Sequence, residues 1–239
     1  MTEPLFRSDA YIAEASATVA AHTAEGGIVL DRSVFYPTGG GQPGDSGYIT
    51  WHGNSMQIAT TVKGSDAAIV LVPAAPQALP PVGSAIEQRI DWPRRHRLMR
   101  MHTALHLLSV VIPLPVSGGA VGDTRSRLDF DMPHPPENPD LLEARLNQMI
   151  DDDLLVSETW ITDEELAANP CLVKTMSAPP PRGADRVRLV QIGSGLNMVD
   201  LQPCGGTHVA RTGEIGRLRL GKIEKKGRQT RRVYLHLDE

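Results

Sequence analysis

Apolar positions over the first third of the chain fall in short runs. Gly27-Ile28-Val29-Leu30, Val34-Phe35-Tyr36, Tyr48-Ile49-Thr50-Trp51 and Ala68-Ile69-Val70-Leu71-Val72 are separated by glycine, proline and polar turns, which is the pattern of short strands. Residues 1–85 therefore predict a small antiparallel sheet or barrel. Pro73, Pro76, Pro80, Pro81 and Gly83 follow with alanines between them, a composition suited to a surface connection. From Leu98 the period changes: Leu98, Met101, Leu105, Leu108 and Ile112 recur at helical intervals until Pro113, predicting an amphipathic helix. A second helix is expected over 139–155, with Pro139 near its start, Leu141, Leu142, Leu146, Met149 and Ile150 on one face and Asp151-Asp152-Asp153 as its solvated end. Thr162-Asp163-Glu164-Glu165-Leu166 has the acidic first turn of a short helix. Strand-like runs close the chain at 187–190, 196–199, 215–220 and 232–237. The fold class is α+β: a small β-barrel-like domain at 1–88, then an α+β domain at 89–239 with an antiparallel sheet and helices.

Composition narrows the options. With 239 residues, 41% hydrophobic and 22% charged, the chain can bury a real core. Only 4% aromatics beside 22 glycines and 19 prolines argue against a coiled coil. Basic and acidic residues number 24 and 28, a formal net of −4, so any nucleic-acid contact must come from a local patch. Two cysteines exclude a disulfide scaffold and suggest a reducing compartment. No run approaches the roughly 18 apolar residues of a membrane span, and the start lacks the basic-then-apolar order of a signal peptide. A cytoplasmic protein without a membrane partner is expected.

His102-Thr103-Ala104-Leu105-His106 puts two imidazoles one helical turn apart on one face, where both can reach a single ion. Downstream, Cys204-Gly205-Gly206-Thr207-His208 offers a thiol and an imidazole four apart, flanked by Pro203 and glycines that imply a tight turn. Zinc suits such a mixed nitrogen and sulfur set. Residue types leave two readings open: a closed structural staple, or a reactive ion whose associated water is the catalyst. Thr103 stands where a zinc-protease helix carries glutamate, which disfavours peptide hydrolysis. An activated ester needs less assistance than an amide.

Gly39, Gly41 and Gly44 formally match a dinucleotide fingerprint, but Pro43 and the following Tyr48-Ile49-Thr50-Trp51 run lead to a strand rather than a helix. No lysine follows the glycines as in a P-loop, so no nucleotide cofactor is expected. The segment is either a plain glycine hairpin or a substrate-facing loop in which Thr38, Gly39, Gly40, Gly41 and Gln42 offer a hydroxyl, an amide and open backbone. Two basic runs border the candidate metal residues: Arg89, Arg94, Arg95, Arg97 and Arg100, and the stretch with Arg217, Arg219, Lys222, Lys225, Lys226, Arg228, Arg231 and Arg232. They are either solvated faces or sites for a polyphosphate partner, bound locally and in a salt-sensitive way.

These residues, together with Arg127-Leu128-Asp129-Phe130 and Thr212-Gly213-Glu214-Ile215-Gly216, resemble the editing region of alanyl-tRNA synthetase over roughly residues 25–238. Thr207 favours the alanyl type, since the related threonyl module typically has proline there. With no recognisable adenylation module, the chain resembles free-standing AlaX-type trans-editing factors of the medium form. The resemblance implies zinc held by His102, His106, Cys204 and His208, and deacylation of tRNA(Ala) wrongly charged with serine or glycine. On that reading the two basic runs hold the acceptor stem, with Arg94, Arg95, Arg97, Lys222, Lys225 and Lys226 as the expected tRNA contacts. Synthetase editing domains often carry a glutamine in the region aligned with Val116 to Gly118, which this chain lacks, so no preference between serine and glycine is carried over. Two alternatives stand beside the deacylase: a non-catalytic tRNA-binding module stapled by zinc, and a zinc hydrolase of small esters.

Overall fold

The computed structural model describes residues 1–174 and 186–238. The chain divides into two compact units, Met1–His96 and the remainder from Arg97. In the first, β2 (Glu14–His22), β3 (Ile28–Leu30), β5 (Gly47–Trp51), β6 (Asn54–Lys63), β7 (Ile69–Pro73) and β8 (Ala85–Ile90) close into a barrel in the order β2-β3-β7-β6-β5-β8. All its pairings are antiparallel. The short strands β1 (Glu3–Pro4) and β4 (Arg32–Ser33) form a separate parallel pair. Strict alternation in β8 turns Ile86, Gln88 and Ile90 inward, as the two-residue strand period requires. With Val19, Ile28, Leu30, Ile49, Met56, Ile58 and Leu71 they fill the unit.

Val34-Phe35-Tyr36, expected as a strand, is buried but lies outside the ladders. Side chains take its amides instead: Val34 N–H donates to Gln88 Oε1 (3.0 Å), Phe35 N–H to Ser33 Oγ (3.1 Å) and Tyr36 N–H to Asp45 Oδ2 (2.6 Å). Buried backbone donors need partners, and these side chains supply them without a neighbouring strand.

Helix α1 (Trp92–Val111) carries the chain into the second unit. Every residue from Met101 to Ser109 is buried, so over that stretch the helix is enclosed on all sides, while its first two turns keep half-buried and exposed positions. Two antiparallel sheets follow. One joins β9 (Val116–Ala120), β10 (Arg125–Asp131), β14 (Leu218–Lys225) and β15 (Thr230–Leu237) in the order β14-β15-β10-β9; the other is β11 (Val156–Ile161), β12 (Val187–Ile192) and β13 (Asp200–Pro203). Helix α2 (Pro139–Asp151) is capped by Asn138 and pinned to β14 by Asn147, which exchanges bonds with both Leu218 N–H and Leu218 C=O at 2.9 Å. Helix α3 (Asp163–Ala168) starts with the Thr162–Glu165 capping box.

The strand expected at 196–199 is instead a 3₁₀ turn over Gly195–Asn197, with Leu196 wholly exposed. Gly193 (φ +78°) reverses the chain there so closely that a Cβ would lie 2.0 Å from the Asn197 carbonyl oxygen, and pairing resumes only at Asp200. Likewise Ile215 ends a 3₁₀ turn with its side chain buried, half-buried Gly216 caps it, and β14 begins at Leu218. Among the described residues no helix is long and apolar enough to cross a membrane.

Candidate metal centre

Helix α1 presents His102 and His106 one turn apart, their ring centroids separated by 5.6 Å. The loop after β13 brings His208 to within 4.5 Å and 4.7 Å of those rings, centroid to centroid. Cys204 Sγ lies 3.5 Å from His102 Nε2 and 3.3 Å from His208 Nε2, and one ligand atom from each of the four residues falls within 4.8 Å of the others. Four ligands at zinc's bond lengths of about 2.0 Å to nitrogen and 2.3 Å to sulfur stand roughly 3.5 Å apart in a tetrahedron. The donors therefore fit an ion of that size and preference.

The backs of the rings are held as a metal site requires. His106 Nδ1 is 2.9 Å from Asp200 Oδ2, and His208 Nδ1 is 3.2 Å from Thr103 Oγ1. Each contact leaves Nε2 for the centre and fixes the ring. Thr103, in the place of a protease glutamate, is thus a support: its hydroxyl donates to Met99 C=O (2.9 Å) and accepts from Val209 N–H (3.3 Å). Asp200 is buried and also receives Gln202 Nε2 (2.8 Å) and Lys174 Nζ (2.5 Å). Arg188 shapes the cysteine loop, with Nη1 donating to the carbonyls of Cys204 (2.7 Å) and Gly206 (3.0 Å) and Nη2 paired with Glu158.

Electrostatics agree. Burial alone would raise the Cys204 thiol, but the charges of His102 and His208 and bonds from His102 and His106 hold it well below its usual value. Burial pushes His208 down to about 3. Against its own burial, the bonds to Asp200 and Cys204 raise His106 to about 9. Burial also works against the Asp200 carboxylate, yet the His106 bond and the charges of His106 and Lys174 lower it. Asp200→Ala should weaken metal binding by about 10- to 100-fold, measured by competition with a chromophoric chelator; an unchanged affinity would show that the carboxylate does not orient His106.

Asp200, Gln202, Arg188 and Lys174 escaped the sequence reading. The available sign was the strand period, which puts Asp200 and Gln202 on the same side as each other, four and two residues before Cys204.

Other expected site residues divide. Gly40 (φ +57°) and Gly41 (φ +82°) are the exposed central pair of a two-residue hairpin closed by reciprocal Gly39–Gln42 backbone bonds of 3.0 Å, a turn that needs positive φ twice. Thr38 donates to Thr61 C=O (3.2 Å) and accepts from Gly44 N–H (2.8 Å). Gln42 is fully buried, which leaves its amide no surface for a substrate. Arg95 is likewise fully buried and bound to Asp45; it is an interior group, and its expected tRNA contact is withdrawn. Arg94 is half-buried and bonds Gly44 C=O (2.9 Å), Arg97 faces Asp123 at 3.9 Å, Lys222 and Lys226 flank Glu224 at 3.1 Å and 2.8 Å, and Lys225 is exposed.

The sequence pattern of the threonyl and alanyl tRNA synthetase second additional domain matches residues 187–234, from β12 through the Cys204–His208 loop into β15. That of class II (A) tRNA synthetases matches residues 9–94, which build the barrel. Fold and site together define a synthetase-related α+β protein with a His/Cys metal-type centre. The chain is 32% identical to the alanyl-tRNA editing protein AlaX-M of Methanosarcina mazei, over 99% of this chain and 97% of the relative. It is 32% identical to AlaX-M of Saccharolobus solfataricus, over 98% of both chains. The alanine–tRNA ligase of Pyrobaculum arsenaticum is 33% identical over 94% of this chain but only 25% of the ligase. The chain belongs to the AlaX family of alanyl-tRNA editing proteins.

Proposed function

We propose that this chain is a zinc-dependent aminoacyl-tRNA deacylase that hydrolyses tRNA(Ala) wrongly charged with serine or glycine, acting in trans. The observation that carries the proposal is the convergence of His102, His106, Cys204 and His208 in a chain whose relatives are alanyl-tRNA editing proteins. Such a step has a physical rationale: a pocket made for alanine excludes glycine and serine poorly, so a second sieve is needed.

When bound, zinc supplies Lewis-acid polarisation of the ester carbonyl or of a water beside it. The chain's own residues set the stage. Cys204 is the ligand with part exposure while the three imidazoles are buried, so the ester approaches from the thiolate side. Asp200 is committed to His106, Lys174 and Gln202, and Thr103 to His208; neither serves as the base. No side chain of this chain is assigned as the base; a hydroxyl of the substrate's own ribose relays the attacking water's proton to the ribose oxygen that departs as the ester C–O bond breaks. Arg94, Arg97, Lys222, Lys225 and Lys226 supply positive charge for the tRNA, and the exposed Gly40–Gly41 tip of the hairpin beside Thr38 offers its backbone N–H groups to it. The tRNA substrate and the two unpaired cysteines fit a cytoplasmic workplace.

The test is release of amino acid from tRNA(Ala) charged with serine, glycine or alanine. Serine or glycine should be released at least about 100-fold faster than alanine, a difference of about 2.7 kcal/mol in barrier. Equal rates would remove the editing claim. Burial of the three imidazoles favours one other reading, zinc as a pure staple, under which the protein binds tRNA(Ala) and releases nothing.

A further inference from the structure

The outer face of the four-stranded sheet carries a charge pattern assembled from three strands. Alternation buries Ser126, Leu128 and Phe130 of β10 and Arg231, Val233, Leu235 and Leu237 of β15. Arg125, Arg127 and Asp129, and Arg232, Tyr234 and His236, therefore face the other way. Pairing register sets Arg125 and Arg219 on either side of His236, Arg127 beside Tyr234, and Asp129 and Glu224 on either side of Arg232.

The two ends of this face differ in how their cations are paired. At the Arg232 end two carboxylates serve four cations: Asp129 accepts Arg232 Nε (2.8 Å), Arg232 Nη2 (2.9 Å) and Arg127 Nη1 (2.7 Å), while Glu224 holds Lys222 and Lys226. At the His236 end nothing cancels. Arg125 and Arg219 are exposed, and among the described residues neither has a carboxylate at ion-pair distance. The Arg125 guanidinium lies 5.0 Å from the Tyr234 ring centroid, a cation–π contact that holds it in place. The His236 imidazole, lowered first by burial and then by the charges of Arg219 and Arg125, senses the same positive field. Gly221 keeps this part of the face low, since a Cβ there would come within 2.6 Å of His236 Nε2.

We propose that Arg125, Arg219 and His236, with Tyr234 and Arg127 beside them, form a docking site for the phosphodiester backbone of duplex RNA, the stem of the tRNA substrate. This rests on the editing reading and adds to it a surface that sequence could not assemble, because Arg125 and Arg219 meet only through β15. Two guanidinium forks two strand spacings apart, about 10 Å, suit successive contacts to phosphates. A flat sheet face cannot enter the deep, narrow major groove of A-form RNA and meets its backbone instead. The single aromatic ring is already covered by Arg125, so stacking of splayed bases does not favour a single strand.

The full chain with Arg125→Gln and Arg219→Gln should bind tRNA(Ala) at least about tenfold more weakly at low salt. The slope of log affinity against log salt should become shallower by about 1.8, or about 0.9 per lost phosphate contact. Unchanged metal content and unfolding midpoint establish that the variant is intact, and in the wild type the His236 ring resonances should shift on adding tRNA(Ala). Equal affinity and slope in wild type and variant, with tRNA bound by both, would overturn the proposal while leaving the editing reading standing. A wild type that binds no tRNA(Ala) would instead sink that reading. Weakened binding of polyglutamate with tRNA binding unaltered would reassign the face to an acidic protein and overturn the RNA assignment.

Discussion

Arg95→Ala should lower the free energy of unfolding by about 3–5 kcal/mol, measured by urea denaturation. The guanidinium is fully buried, its Nε donates to both Asp45 oxygens at 3.0 and 2.9 Å, Nη1 to Ala10 C=O (3.0 Å) and Nη2 to Val34 C=O (2.7 Å). Truncation strands the Asp45 carboxylate in the interior and frees two carbonyls. Removing one member of a buried pair is far costlier than removing both. The double variant Arg95→Met, Asp45→Leu should therefore recover much of the loss, even though Asp45 also accepts from Tyr36 N–H. A loss under about 1 kcal/mol for the single variant, the range of an exposed pair, would contradict the interior role.

His106→Ala and Cys204→Ser should each abolish stoichiometric metal retention on gel filtration and reduce deacylation by at least about 100-fold, or about 2.7 kcal/mol in barrier. His106 is the more damaging site, because its loss also removes the Nδ1 contact of the buried Asp200. Loading should depend on pH with a definite sign. His106 is raised to about 9, so at neutral pH its imidazole carries an extra proton that must leave before Nε2 can ligate; affinity rises with pH and protons are released on uptake. Full metal retention by His106→Ala, or affinity independent of pH, would contradict the ligand assignment.

The His/Cys cluster was legible in sequence because its spacing is local: two residues four apart on a helix and two more beside glycines. Its supports were not, since Asp200, Arg188 and Lys174 acquire meaning only when β12 and β13 pair and the loop folds back. The α+β class and the barrel were likewise legible from short apolar runs and turn residues. Two runs misled in instructive ways. Val34-Phe35-Tyr36 is apolar and buried like a strand, but Gln88, Ser33 and Asp45 satisfy its amides. Leu196 to Val199 is apolar and reads as a strand, yet Gly193 turns the chain out and leaves Leu196 in solvent. Arg95 shows the same limit for charge: position in a basic run said nothing about the carboxylate waiting for it in the barrel unit.

The enclosure of α1 from Met101 to Ser109 makes the helix a gauge as well as a support. Amides so sealed should exchange hydrogen only when the unit opens cooperatively, so the backbone that sets the one-turn spacing of the two imidazoles is held firmly. Calcium, which wants six or more oxygens at 2.3–2.6 Å, would find the wrong atoms there, three imidazole nitrogens and a sulfur.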